Sequence, residues 1–383
     1  MDKTIFKKTF QEKFGGKPII VRAPGRINFI GEHTDYNNGL VLPAAIDREI
    51  FVAVAPNHTA QCQVFSPDLN ESHSFSVDEL NPGKNWVHYL QGVMHGIRQA
   101  GYSLSGANVM ISGNIPAGAG LSSSAALCCG FGMAYSHAIG ASLTKLALAK
   151  IAQYAEHHFA GVKCGLMDQY ASLFGMKDLA ILLDCKTLEH EYVPFQFPDI
   201  DILLIDTKVK HSLADSAYNN RREACEMGVK LVSRKHEVHS LRDVSVSMLM
   251  EMKSGFPEDI FRRCQYVVNE MRRTRQAVKH LKENNIQAFG SLLFETHWGL
   301  SRDYEVSCGE SDFLVDLAQE NKSVLGARMM GGGFGGCTLN LVKKNGTAEF
   351  REAARKKYFA TFKKEPDFYS VSLEDGVTIT SDH

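Results

Sequence analysis

Glycine gathers in two short stretches of this chain, residues 114–120 and 331–336, and elsewhere glycine and proline are spread thinly. A β-rich run at 109–112 leads into the first stretch, and another at 338–342 follows the second. Glycine lets a backbone take positive φ and approach another backbone or a ligand closely, so the fold must contain strands that stop at tight, ligand-sized loops. Neither stretch is a familiar nucleotide motif. The segment from Gly113 through Gly118 is not followed by the lysine of a P-loop, and Gly118 and Gly120 lack the third glycine of the dinucleotide fingerprint. Gly331, Gly333 and Gly336 satisfy that fingerprint formally, but a strand follows where it must open a helix. A P-loop NTPase and a Rossmann dehydrogenase are therefore disfavoured.

Outside these loops the residue pattern predicts strands at 19–23, 40–42, 50–55, 61–65, 179–183 and 200–206. It predicts helices near 86–99, 144–158, 218–234, 260–283, 286–300 and 310–321. The order is not the regular strand-helix alternation of a doubly wound sheet, so an α+β architecture in two lobes is expected. At about 100–200 residues per domain, 383 residues suit two domains, taken here as 1–195 and 196–383.

Lys and Arg number 42 against 43 Asp and Glu, a formal net charge of −1, which argues against nucleic-acid or membrane binding driven by global charge. With 44% hydrophobic and 22% charged residues the chain can bury a core. The longest sheltered apolar stretch, 125–139, is interrupted by Cys128, Tyr135, Ser136 and His137 and falls short of the roughly 18 residues of a membrane span. Charges within the first ten residues argue against a signal peptide, and nine cysteines without a CxxC pair read as reduced thiols. A cytoplasmic protein is expected, with no nucleic-acid or membrane partner. A monomer is expected because no surplus of charge or amphipathic helix points to a partner protein.

Three constellations carry chemistry. Arg22, Arg26, Glu32, His33 and Asp35 crowd a connection between two strands. It can be a solvated loop, or a sugar or polyol site in which Glu32, His33 and Asp35 engage neighbouring hydroxyls and Arg26 meets developing negative charge. Residues 112–127 read as a strand end, a glycine loop and a helix start capped by serine, which is the geometry of an anion site. The plainer alternative is a tight turn with an ordinary Ser cap. Residues 331–336 read as a loop closing over another segment or over phosphates, or as a hinge.

Pro24, Gly25 and Arg26 with Gly31, Glu32, His33, Thr34, Asp35, Tyr36 and Asn37, then residues 116–126, then residues 331–336 resemble, in order and spacing, the three motifs of the GHMP small-molecule kinases. The first block is similar to that of their galactose-phosphorylating branch. Cys164, Gly165, Leu166, Met167, Asp168 and Gln169, and Tyr218 through Arg222, extend the resemblance over nearly the whole chain; Ile27, Phe29 and Asn38 depart from the pattern conservatively. The resemblance implies a two-lobed fold with the active site in the cleft, and MgATP-dependent phosphorylation of galactose at its C1 hydroxyl. It implies Asp168 as catalytic base beside Arg26, and sugar contacts from Glu32, His33, Thr34, Asp35, Gly165 and Tyr218. It further implies an ATP phosphate loop of Gly118, Ala119, Gly120, Leu121, Ser122, Ser123 and Ser124, with Ser66 and Trp86 near the adenine, and Mg²⁺ at Ser124 and Glu156.

Glu156, His157 and His158 near Cys164 also suggest zinc, but consecutive residues on a helix face different ways, and magnesium, needing one or two protein oxygens beside ATP, fits better. Related kinases of mevalonate or homoserine are disfavoured, since those acceptors have too few hydroxyls for the first motif, whereas N-acetylgalactosamine stays open. A sugar-sensing regulator of the same descent is expected to depart around Ser124 and Ala125. Both are intact here, so an active enzyme is expected.

Overall fold

The computed structural model describes residues 3–83, 85–116, 118–209 and 214–380; Ala117, within the first glycine stretch, lies outside the described residues. Helix α1 (Lys3–Phe14) is followed by strands β1 (Ile19–Asn28), β2 (Leu40–Val41), β3 (Pro43–Pro56), β4 (Gln61–Ser66) and β5 (Glu71–Ser76). Then come α2 (His88–Gln99), β6 (Ala107–Gly113), α3 (Ser123–Ala138), α4 (Lys145–Ala155), a π-turn (Glu156–Ala160) and α5 (Met167–Phe174). After β7 (Leu179–Asp184), β8 (His190–Pro194) and β9 (Ile200–Asp206) the chain is helical through α6 (Ala214–Val232), α7 (Val246–Met252), α8 (Glu258–Lys282), α9 (Ile286–Arg302) and α10 (Gly309–Glu320). It closes with β10 (Val324–Met329), β11 (Cys337–Lys343), α11 (Thr347–Phe362), β12 (Asp367–Val371) and β13 (Thr378–Ile379). Every strand and helix expected from the sequence has a counterpart.

The described residues form three sheets, ordered β13-β1-β3-β6-β4-β5, β10-β11-β9-β12 and β2-β7-β8. Pairing is antiparallel except between β4 and β6. The six-stranded sheet buries Val21, Val52, Val54 and Val109 in one cluster with Leu90, Phe131, Tyr135 and Ile151 of the helices. Phe6 and Phe10 of α1 pack with Ile20, Ala53 and Met110 in a separate cluster. Burying a side chain of this size is worth about 1.5–3 kcal/mol, so these clusters outweigh any local propensity. Helix α3 lies so close to this sheet that a Cβ at Gly130 would come within 2.7 Å of the Ala23 Cβ, and small residues along α3 permit that approach. It is buried nearly all round, which explains why residues 125–139 show no amphipathic period.

The expected boundary at 195/196 falls between β8 and β9, which belong to different sheets. The halves are nonetheless joined. Ile27, Phe29 and Leu42 share a core cluster with Leu204, Phe289, Leu339 and Leu341, and β13 returns to pair with β1. No described helix is long and apolar enough to cross a membrane. All nine cysteines are free.

Candidate active site

A cavity of about 530 Å³ opens where the β1–β2 connection, the two glycine loops, the π-turn and α6 meet. Its chemistry begins with a pair set by two elements of opposite kind. Arg26 sits in β1 just past a register shift, where Gly25 comes so near Leu121 that a Cβ would lie 2.8 Å from that carbonyl oxygen. Asp168 is the second residue of α5, where the positive end of the helix favours an anion. The guanidinium donates from Nε to Oδ1 at 2.7 Å and from Nη2 to Oδ2 at 2.9 Å, a two-pronged charge-assisted pair. Nη1 of Arg26 donates to the carbonyl of Gly120 and the Ser122 hydroxyl to Asp168 Oδ2. Arg26 is only 4% exposed, so burial lowers its pKa, but Asp168 together with Glu32 and Asp35 more than offsets this and the net shift is upward.

The expected serine cap is not made. Ser122 precedes α3 in the left-handed region (φ 57°, ψ 49°), and its hydroxyl turns to Asp168 instead of bonding the helix backbone. The Ser122 side chain therefore does not cap α3, and the amides of its first turn suit an anion. Gly118 and Gly120 take φ of 77° and 76°. The second glycine loop packs directly on the first. A Cβ at Gly120 would lie 3.1 Å from the Met330 carbonyl oxygen, one at Gly331 would lie 3.2 Å from that of Gly120, and Cys337 N donates to Ala119 O at 3.2 Å.

On the other side of the pair lies the β1–β2 connection. Glu32 lines the cavity at 2% exposure. Burial pushes its carboxyl up, yet Arg328 and Arg26 with the Asn28 amide reverse the shift to a net lowering. His33, at φ 63°, meets the Tyr36 hydroxyl through Nδ1 at 2.8 Å, and burial takes its pKa down to about 4, so it is neutral. Asp35 is pushed up to about 7 by burial and then by Asp168. Tyr218 of α6 lines the cavity with its ring 5.3 Å from that of His33.

Thr34 and Gly165 are not on the cavity wall. The Thr34 hydroxyl is fully buried, 2.8 Å and 2.7 Å from the carbonyls of Gly31 and Leu40, and shapes the connection from behind. A Cβ at Gly165 would overlap the Asp35 carboxylate, so this glycine makes room for a neighbour.

Ser124 and Glu156 both line the cavity. Burial takes the Glu156 carboxyl up to about 7, with Asp168 adding to the rise and Cys164 and Ser124 opposing it. Cys164 Sγ donates to Oε2 at 3.1 Å, while Oε1 is buried with no hydrogen bond among the described residues. His157 turns to the Cys164 carbonyl at 2.7 Å, and no His, Cys, Asp or Glu cluster of metal-binding form occurs among the described residues.

Trp86 lines the cavity, its Nε1 donating to Glu71 Oε2 at 2.8 Å. Ser66 and Ala119 do not. Ser66 ends β4, buried, its hydroxyl accepting from Leu69 N at 3.4 Å. Gly118, Gly120, Leu121, Ser122 and Ser123 do line it. Tyr89 and Val162 also face the cavity and were not singled out in the sequence, whereas Leu127 and Phe334 face it from within the two glycine-loop constellations; Tyr89, one helical turn from Trp86, is the one that spacing alone offered.

Fold and site together define a small-molecule kinase of the GHMP class. Residues 88–176 match the GHMP kinases N terminal domain and 277–361 the GHMP kinases C terminal. The Methanococcus jannaschii mevalonate kinase structure, 17% identical over 94% of this chain and 99% of that one, shares the fold at a TM-score of 0.63. Residues 8–56 match the galactokinase galactose-binding signature. Galactokinase of Thermotoga neapolitana is 42% identical over 93% of this chain and 99% of its own, and that of Roseiflexus sp. (strain RS-1) 40% over 98% and 97%. The structure of Lactococcus lactis galactokinase complexed with galactose, 33% identical, superposes at a TM-score of 0.94 over 98% of this chain and 99% of that one. The chain belongs to the galactokinase family, whose members are ATP-dependent sugar kinases.

Proposed function

We propose that the protein transfers the γ-phosphoryl group of ATP to the C1 hydroxyl of galactose, giving galactose 1-phosphate and ADP. The Arg26–Asp168 pair carries this reading, because it stands between a connection rich in hydroxyl-binding groups and a glycine loop suited to phosphate. Phosphoryl transfer asks a protein mainly for positioning and charge neutralisation. Asp168 accepts the proton of the C1 hydroxyl as that oxygen bonds to the γ-phosphorus, and the bond to the bridging oxygen breaks with its electron pair leaving on ADP. Arg26 holds Asp168 in place and faces the developing charge.

Glu32, His33, Asp35 and Tyr218 hold the sugar hydroxyls, with Thr34 and Gly165 supporting them from behind. Gly118 and residues 120–124 hold the ATP phosphates, with Ala119 supporting the loop from behind, and Trp86 flanks the base. An ATP-using kinase needs a divalent cation; here Mg²⁺ would be held by Ser124 and Glu156 and would neutralise phosphate charge. The orphaned, buried Oε1 of Glu156 supports this assignment. We take residues 1–195 and 196–383 as the two lobes and the enzyme as a cytoplasmic monomer, which light scattering on the purified protein would test.

The decisive experiment is ADP release from MgATP with galactose, N-acetylgalactosamine, glucose, mannose and mevalonate, with phosphorus NMR of the product. Turnover on galactose to a 1-phosphate is expected. Galactose binding without ADP release would instead make the protein a sensor, and preference for another acceptor would show that Glu32, His33 and Asp35 do not select galactose.

A further inference from the structure

Buried charge outside the reacting pair concentrates where β10 passes behind the β1–β2 connection. Arg328 has no exposed surface, and a single nitrogen, Nη2, donates both to Glu32 Oε1 at 3.0 Å and to the Asn28 carbonyl at 2.6 Å. Its Nε and Nη1 are buried without a hydrogen bond among the described residues. An arginine with unmet interior donors is a poor source of stability, since apolar side chains of similar volume often do as well or better. Its partner supplies another reason for it.

Glu32 lines the cavity, and its carboxylate is held from several directions. Oε1 also accepts from Gly331 N, and Oε2 from the Asn28 amide. The other charged or titratable groups facing Glu32 are Arg26 on β1, His33 and Asp35 on the same connection, and Tyr266 on α8, whose hydroxyl donates to the Glu32 carbonyl at 3.2 Å. Arg328 is the cation that ties this carboxylate to the strand leading into the second glycine loop.

We propose that Arg328 is a positioning residue for the sugar: it fixes the Glu32 carboxylate and the sugar-binding connection against the second glycine loop without touching the substrate. This deepens the function proposed above and rests on Glu32 being a sugar contact. Lysine is no equal substitute, being a compact point charge on a flexible stem in place of a planar fork.

The test is steady-state kinetics of the full chain, varying galactose and then ATP, for the wild type, E32Q, R328K, R328M and the double variant R328M/E32Q. We expect E32Q and R328K each to raise the galactose KM by about tenfold or more while the ATP KM stays within about twofold. R328M should add less than about twofold to the galactose KM once E32Q is present, because the group it positions is already altered. Parallel rises in both KM values, or an undiminished effect of R328M in the E32Q background, would overturn the proposal. An unchanged galactose KM in E32Q would overturn it by removing the Glu32 reading itself. An unchanged KM in R328K beside a raised one in E32Q would overturn the Arg328 role and leave Glu32 standing. If R328M alone fails to fold, comparing E32Q with R328M/E32Q, which leaves no unpaired charge in this pair, decides the matter.

Discussion

The carboxylate of Asp35 occupies the space into which a Cβ at residue 165 would project. Gly165→Ala is therefore a steric test of Asp35 that leaves its chemistry intact. The methyl group must displace the carboxylate or the 164–166 backbone, and a misplacement of this size is enough to cost about 10²-fold in rate. We expect kcat/KM for galactose to fall by one to two orders of magnitude with little change in the ATP KM. Equal losses on both substrates would place the damage in the general architecture.

Asp168 accepts three protein hydrogen bonds, two from Arg26 and one from Ser122, and each holds it toward the cavity. Asp168→Asn keeps the shape and removes the base, so kcat should drop by about 10²–10⁴, and the folded protein should melt at a lower temperature because buried Arg26 loses its ionic partner. Ser122→Ala removes one orienting bond, and a loss of about tenfold is expected. An Asn variant keeping most of its rate would rule out Asp168 as base.

How much of this was legible beforehand depends on how close in sequence the cooperating residues lie. Arg26, Glu32, His33 and Asp35 fall within ten consecutive residues, 26–35, so their types announced a polar site. Arg328 did not announce itself, because Glu32 lies near the other end of the chain and only the folded structure brings the two together. A serine cap is what the sequence predicts because serine favours that role, whereas the turn of the Ser122 hydroxyl to Asp168 is a tertiary contact. Helix α5 is too short for a period to show, and β5, β8 and β12 are short strands with weak alternation, formed because a neighbouring strand offers a partner. Ser66 carried no local signal beyond its place in a loosely matching region.

The pH dependence follows from two carboxyls. Asp35 and Glu156 have folded pKa values raised to about 7, above their ordinary values of 3.8 and 4.5. Between those limits the folded protein holds protons that the unfolded chain has released, so stability falls as pH rises toward 7 and levels off above it. His33, whose pKa burial takes down to about 4, acts the other way, since the unfolded chain binds its proton below about 6.5. The variants isolate the carboxyls, and Asp35→Asn and Glu156→Gln should each make the ligand-free melting temperature fall less, or rise more, between pH 5.5 and pH 8. Activity runs the other way, since ionised Asp35 accepts sugar hydroxyls and ionised Glu156 attracts a cation. Accordingly kcat/KM should rise with pH toward 7, and saturating Mg²⁺ should move the rise to lower pH. A pH slope left unchanged by both variants would contradict the assignment.

Glu156→Gln keeps the volume beside Ser124 and removes the charge. Half-saturating Mg²⁺ should rise about tenfold or more, as expected for loss of one charged oxygen ligand, with the galactose KM unaffected. The measurement is initial rate against free Mg²⁺ at fixed ATP. An unchanged Mg²⁺ dependence would move the cation site away from Glu156.

Trp86 and Trp298 are the two tryptophans of the chain, and only Trp86 lines the cavity. Its indole N–H is committed to Glu71, so the ring presents a fixed apolar surface. Stacking of a base on such a ring is worth about 1–3 kcal/mol by truncation, which corresponds to roughly a 5- to 150-fold rise in the ATP KM for Trp86→Ala. Intrinsic fluorescence separates this from a general loss of structure. Adding ATP should change the emission of wild type and of Trp298→Phe alike, and should leave that of Trp86→Phe unchanged. Glu71→Gln, which weakens the brace and spares the ring, should raise the ATP KM by less than Trp86→Ala does. The opposite order would mean that the Glu71 carboxylate, and not the indole face, meets the nucleotide.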